Sequence, residues 1–60
     1  MKPGDMVQGS FNNDQGSWTR KGLFLGFRVS GKYQYSEVYW FYENIVGSIQ
    51  TNKLEVLQCA

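Results

Sequence analysis

Five carboxylates (Asp5, Asp14, Glu37, Glu43 and Glu55), one thiol (Cys59) and no imidazole make up the acid–base and nucleophilic stock of this chain. Without histidine there is neither a Ser-His-Asp nor a Cys-His pair to activate a nucleophile, nor a usual zinc-ligand set. No two acids are spaced so as to commit both to one site for general acid–base work. Gly22 to Gly26 lacks the Gly-Lys-Ser/Thr ending of a phosphate loop, so its glycines read as turns and bends. The residue types point away from catalysis, and neither a cofactor, a metal nor a small-molecule substrate is expected.

The side chains with binding potential are aromatic and cationic. Aromatic residues make up 17 % of the chain, and Tyr33, Tyr35, Tyr39, Trp40, Phe41 and Tyr42 crowd into the stretch YQYSEVYWFY. Arg20, Lys21, Arg28 and Lys32 lie within a segment, Gln15 to Ser36, that contains no acid. Tyrosine, tryptophan, phenylalanine and arginine are the types enriched in protein interface cores. The same types serve nucleic acid, with bases stacked on Tyr33, Tyr35 or Phe41 and phosphates held by Arg20, Lys21, Arg28 and Lys32. Phosphate neutralisation dominates that second kind of affinity, and a net charge of only +1 weighs against it.

The elements that must carry these groups are strands. Tyr33 to Tyr42 is rich in residues that fit a pleated, half-buried surface. Ser36, Val38, Trp40 and Tyr42 share one face; Tyr33, Tyr35, Glu37, Tyr39 and Phe41 share the other. An unpaired carboxylate is costly in a small core, so the Glu37 face is expected to meet solvent and to present an aromatic row. A bulge near Ser36 that switched the parity, or residues 8–20 folding over the row, would instead bury part of it. Gly22 to Val29 alternates, with Leu23, Leu25, Phe27 and Val29 expected in the core and Phe24, Gly26 and Arg28 facing outward. Gly26 suggests a bulge or sharp bend. If this strand pairs with Tyr33–Tyr42, Phe24 and Arg28 extend the row.

The remaining elements are shorter. Lys2-Pro3-Gly4-Asp5 is a turn feeding a first strand from about Asp5. Gln8 to Arg20 reads as a long loop that folds back as an irregular hairpin, tucking at least one of Phe11 and Trp18 inward, with its tip at Asn12-Asn13-Asp14. Ser30-Gly31-Lys32 is a tight connection, and Glu43-Asn44 a weaker hairpin signal with asparagine at positive φ. Ile45 to Ile49 forms a fourth strand, Gln50 to Lys53 a short 3₁₀ turn, and Leu54 to Leu57 a fifth strand. Five short strands without helical periodicity indicate an all-β, compact five-stranded barrel, whose closure removes aggregation-prone edges.

Sixty residues make one small domain that buries only about 60 % of its unfolded surface. One cysteine permits no internal disulfide, so stability must come from aromatic burial, association or both. Met1 is followed by no apolar h-region, and no apolar run is long enough to span a bilayer, so no membrane contact is expected and the cytoplasm is the expected location. Cys59 is expected to be a free thiol in a reducing compartment, with an intermolecular disulfide as the alternative.

Lys2-Pro3-Gly4-Asp5-Met6-Val7 resembles the "K-x-G-D-hydrophobic-V" opening of small barrels related to Src-homology-3, Tudor and KOW domains. Ser36-Glu37-Val38-Tyr39-Trp40 resembles their central "x-x-V-x-W" strand, and Gly47 to Leu57 is similar to their closing strand, 3₁₀ turn and last strand. The combination also looks like short single-barrel proteins of tailed bacteriophages. Gln50 stands where many relatives have proline, and neither a polyproline site nor a four-aromatic methyl-lysine cage is recognisable. The resemblance implies a Src-homology-3-like barrel with a non-catalytic role, as a phage accessory or host-directed protein. The expected contact surface for a protein partner or a second copy is Tyr33, Tyr35, Tyr39, Phe41, Phe24 and Arg28.

Overall fold

The computed structural model describes residues 1–60 and is all-β apart from one short 3₁₀ turn. Strands β1 (Met6–Asn13), β2 (Gly16–Ser30), β3 (Tyr33–Trp40), β4 (Ile45–Gln50) and β5 (Leu54–Gln58) form a single antiparallel sheet in the order β4-β3-β2-β1-β5. A 3₁₀ turn at Thr51–Lys53 joins β4 to β5. The two end strands do not pair with each other, so the sheet is open, not closed as the sequence suggests.

The sheet nevertheless curls tightly. In a flat sheet β1 and β3, with β2 between them, would lie roughly 9–10 Å apart. Here the Trp40 ring of β3 lies 2.7 Å from where a Cβ on Gly9 of β1 would stand. The core enclosed by the curl is Val7, Phe24, Val38, Trp40 and Ile49, with Phe11 and Leu54 packed against it. The Ser36 and Thr51 hydroxyls bond at 2.8 Å, pinning the 3₁₀ turn to β3. On β3 the alternation works as the sequence indicates, with Ser36, Val38 and Trp40 all buried.

Strand β2 overturns its sequence expectation. Phe24, expected to face outward, is 1 % exposed at the centre of the core, whereas Leu25, Phe27 and Val29 are exposed. A bulge breaks the expected stripe: pairing passes from Phe24↔Val38 to Gly26↔Glu37, so Leu25 has no partner, and Leu23 before it and Phe27 after it face opposite sides of the sheet. The Phe24 main chain is held just before this point. Its carbonyl accepts the Gly4 N–H and its N–H donates to the Asp5 carbonyl, both at 2.9 Å. Beyond Phe24 the strand follows β3 alone. Phe27, expected in the core on the Leu23–Val29 stripe, shares the inner face with Phe24 at a ring separation of 4.8 Å, but at the rim, 49 % exposed.

Residues 8–20 fold back as a hairpin, as expected, but a regular one and not a long loop. It is paired through to Asn13↔Gly16 and closed by the two-residue turn Asp14-Gln15, one or two residues beyond the expected tip. The Asn13 side-chain oxygen accepts the Gln15 N–H at 2.8 Å, and Gly16 supplies a φ of 138°. Gly31 and Lys32 make the β2–β3 turn. Strand β3 ends at Trp40, so Phe41 and Tyr42 belong to the four-residue β3–β4 turn, where Asn44 takes the expected positive φ of 59°.

Candidate functional site

The cross-strand register fixes what the outer face of the sheet presents. Met6 pairs with Leu23, Leu23 with Tyr39 and Tyr39 with Val46, so four apolar side chains form one line across β1, β2, β3 and β4. Residues paired in this way project to the same side of the sheet. Along β3 the line meets the aromatic row at Tyr39. The Tyr39 and Phe41 rings are 6.1 Å apart in an edge contact, and the Tyr39 hydroxyl donates to Asn44 Oδ1 in the turn.

Tyr33 and Tyr35 form a second ring pair, 6.4 Å apart, with Arg28 in register beside Tyr35. Glu37 separates the two pairs and is half-buried between Gly26 and Ser48. Of the six residues proposed from sequence, Tyr33, Tyr35, Tyr39, Phe41 and Arg28 lie on or beside this face, and Phe24 is removed from it by burial. Met6, Leu23 and Val46 join it instead. Their membership depends on strand register, for which the only sequence signals are the turns.

The four cations are not brought together. Lys21 and Arg28 are on the outer face and Lys32 is in the β2–β3 turn, whereas Arg20 pairs with Gly9 on the inner side. Arg20 Nε lies 3.1 Å from Glu43 Oε1, and its guanidinium sits 4.5 Å from the centre of the Tyr42 ring. It is therefore already engaged by a carboxylate and a ring face.

A groove of about 290 Å³ runs between the β1–β2 hairpin and the β3–β4 turn, lined by Phe11, Trp18, Trp40, Ile45 and Gly47 and edged by the Arg20–Glu43 pair. Phe11 and Trp18 stack at 5.9 Å, and Phe11 meets Trp40 edge-on at 5.6 Å. Reading residues 8–20 as irregular hid this pairing. The available signal was that Phe11 and Trp18 are equidistant from the Asn13–Gly16 turn.

One ionisable group, in the turn that leads into β1, is buried. Asp5 is 2 % exposed, and its carboxylate accepts the Lys2 N–H and the Ala60 N–H, each at 2.8 Å. The Ala60 amide first, and the Lys2 amide second, hold its carboxyl below the ordinary range against the opposing effect of burial. No three acidic or thiol side chains converge as metal ligands would. No helix is long and apolar enough to cross a membrane.

No protein-family model, curated protein or solved structure matches this chain.

Proposed function

We propose that this chain is a non-catalytic binding module that contacts a protein partner through the outer face of its sheet. The observation that carries the reading is the convergence at Tyr39 of the Met6–Leu23–Tyr39–Val46 line and the Tyr33–Phe41 row. Contiguous apolar and aromatic surface rimmed by polar groups marks contact sites on small proteins. Arg28, beside Tyr35, adds a cation of the type favoured in such contacts.

The finer fold reading is a Src-homology-3-like barrel. It is supported by the strand order β4-β3-β2-β1-β5, by the 3₁₀ turn before the last strand, and by the Lys2–Val7 and Ser36–Trp40 resemblances. By the same resemblance the chain is read as a phage accessory or host-directed protein acting in the host cytoplasm. Nucleic acid is the weaker reading, because Arg20 is engaged by Glu43 and Tyr42. Absence of DNA or RNA binding by fluorescence anisotropy at about 50 mM salt would remove it.

The test of the protein-contact reading compares Tyr39→Ser with Trp18→Ser, which alters the groove on the other side. Partners retained by the wild-type chain should be lost with Tyr39→Ser and kept with Trp18→Ser. Retention of every protein contact by a folded Tyr39→Ser chain overturns it.

A further inference from the structure

Strand β4 is an edge with its hydrogen-bonding side open. Its sustained neighbour is β3 alone, and Ile45 and Val46 are 57 % and 55 % exposed. Which of its backbone groups are free follows from β3. The Phe41 N–H bonds to Lys21 of β2, and the Trp40 carbonyl accepts the Asn44 N–H on the β4 side. Successive residues of a strand aim their backbone groups to alternate sides, so Trp40, Val38 and Ser36 bond towards β4. Their partners Ile45, Gly47 and Ile49 are satisfied by β3, and the N–H and C=O groups of Val46, Ser48 and Gln50 point away from the sheet.

Native proteins usually protect such an edge with charge, proline, a bulge or a covering element. Strand β4, Ile-Val-Gly-Ser-Ile-Gln, carries no charge and no proline, and its pairing with β3 has no register shift. The opposite edge differs: β5 carries Glu55, and a bulge interrupts its pairing with β1 between Met6 and Val7.

We infer that β4 is the self-association edge of this protein, and that two copies pair β4 to β4 antiparallel about a two-fold axis at Ser48. This places Ser48 opposite its own counterpart and Val46 opposite Gln50 of the second copy, and it joins the free backbone groups of both edges. The second copy is the occupant for three reasons. Antiparallel pairing of a strand with itself is self-complementary under a two-fold. An uncharged strand brings no like charges face to face when it does so. The Met6–Leu23–Tyr39–Val46 line ends at this edge, and in the dimer the register carries it on to Gln50 and then Tyr35 of the second copy. The chain also has reason to associate, since its core holds five buried hydrophobic residues while twelve large ones stay exposed. This self-association goes beyond the protein-contact reading, because it uses β4 main-chain atoms rather than the Tyr39 face.

The test uses the intact chain from about 1 µM to about 1 mM, a span covering weak to moderate association. Sedimentation should show a monomer–dimer equilibrium. Amide exchange by NMR should show Val46 and Ser48 becoming protected as the dimer fills, with Gly47 and Ile49 protected throughout. Ser48→Lys, which sets two cations opposite each other at the axis, should weaken dimerisation at least about tenfold. Ser48→Pro, which removes a donor that β3 does not use, should abolish it. Far-UV circular dichroism establishes that each variant is folded, and the wild-type exchange pattern decides the matter if neither is. A monomer across the whole range overturns the inference. So does a dimer in which Val46 and Ser48 stay unprotected; that outcome leaves contact through the Tyr39 face standing, which the Tyr39→Ser comparison addresses separately.

Discussion

Asp5 Oδ1 accepts the backbone N–H of Ala60 at 2.8 Å, so the last residue of the chain is tied to its first turn. The other oxygen accepts the Lys2 N–H, and the Asp5 carbonyl accepts the Phe24 N–H. One residue thus joins both termini to the strand that carries the central core ring.

The carboxyl of Asp5 is held below the ordinary range in the folded state, chiefly by the Ala60 and Lys2 amides. A group whose pKa falls on folding stabilises the fold above its unfolded value, about 3.9 for aspartate, and loses that contribution as pH drops through the lowered folded value. Asp5→Asn should therefore melt below wild type at pH 7, and the gap should narrow steadily below about pH 4. Thermal melts of both chains between pH 2 and pH 7 check this, and a gap that is constant with pH refutes it.

Phe24 and its neighbours test the reversed parity of β2. Removing a buried phenylalanine side chain costs about 3–5 kcal/mol, a large share of what a small domain possesses. Phe24→Ala should leave the chain largely unfolded. Leu25→Ser and Val29→Ser, at exposed positions, should each change stability by less than about 1 kcal/mol. Urea unfolding followed by tryptophan fluorescence reports all three. A small loss at Phe24 beside large losses at Leu25 and Val29 would return the core to the unbroken alternation.

Alternation was legible on β3 because nothing interrupts it: Ser36, Val38 and Trp40 occupy successive inward positions, and their neighbours face out. It misled on β2 because Gly22 to Val29 alternates equally well, yet one unpaired residue, Leu25, moves every later side chain to the other face. Gly26 gave notice of a bulge but not of the direction in which it resolves. The 8–20 segment was obscured for another reason. Its polar composition resembles a loop, so it reads as an irregular hairpin, and the placing of Phe11 and Trp18 at equal distances from Asn13-Asp14-Gln15-Gly16 is the signal that it is a regular one. The aromatic surface was half visible. Tyr33, Tyr35, Tyr39 and Phe41 follow from one strand and its extension, whereas Met6, Leu23 and Val46 join through pairing between strands.

Two glycines are close-approach sites, and their cost should rank by what they face. A Cβ at Gly22 would meet the Tyr39 carbonyl oxygen and lie 2.6 Å from Val38 Cγ1. At Gly9 it would meet the Trp40 ring at 2.7 Å and Ile49 Cδ1 at 3.0 Å. Overpacking a core costs about 1–3 kcal/mol, and backbone yields less readily than a ring edge. Gly22→Ala should therefore be more damaging than Gly9→Ala, and Gly26→Ala, which meets open space, should be close to neutral. Denaturant midpoints give the order directly. A mild Gly22→Ala beside a severe Gly26→Ala would contradict the packing of β2 on β3.

Besides the Thr19 carbonyl, to which its Nη1 donates at 3.1 Å, Arg20 meets a carboxylate and a ring, and salt should separate these two contacts. Its exposed ion pair with Glu43 is of a class worth about 0.2–1 kcal/mol and is screened at high ionic strength, where the Debye length is about 3 Å at 1 M. Its place over the Tyr42 ring and at the edge of the Trp40 groove depends on contact and is less readily screened. Glu43→Gln should lower stability by less than about 1 kcal/mol in dilute buffer and by almost nothing in 1 M salt. Arg20→Ala should cost more in dilute buffer and keep part of its effect in 1 M salt. Urea unfolding of both variants at the two ionic strengths makes the comparison. If the Arg20→Ala loss also vanishes in salt, the guanidinium acts through charge alone and its place over Tyr42 contributes nothing.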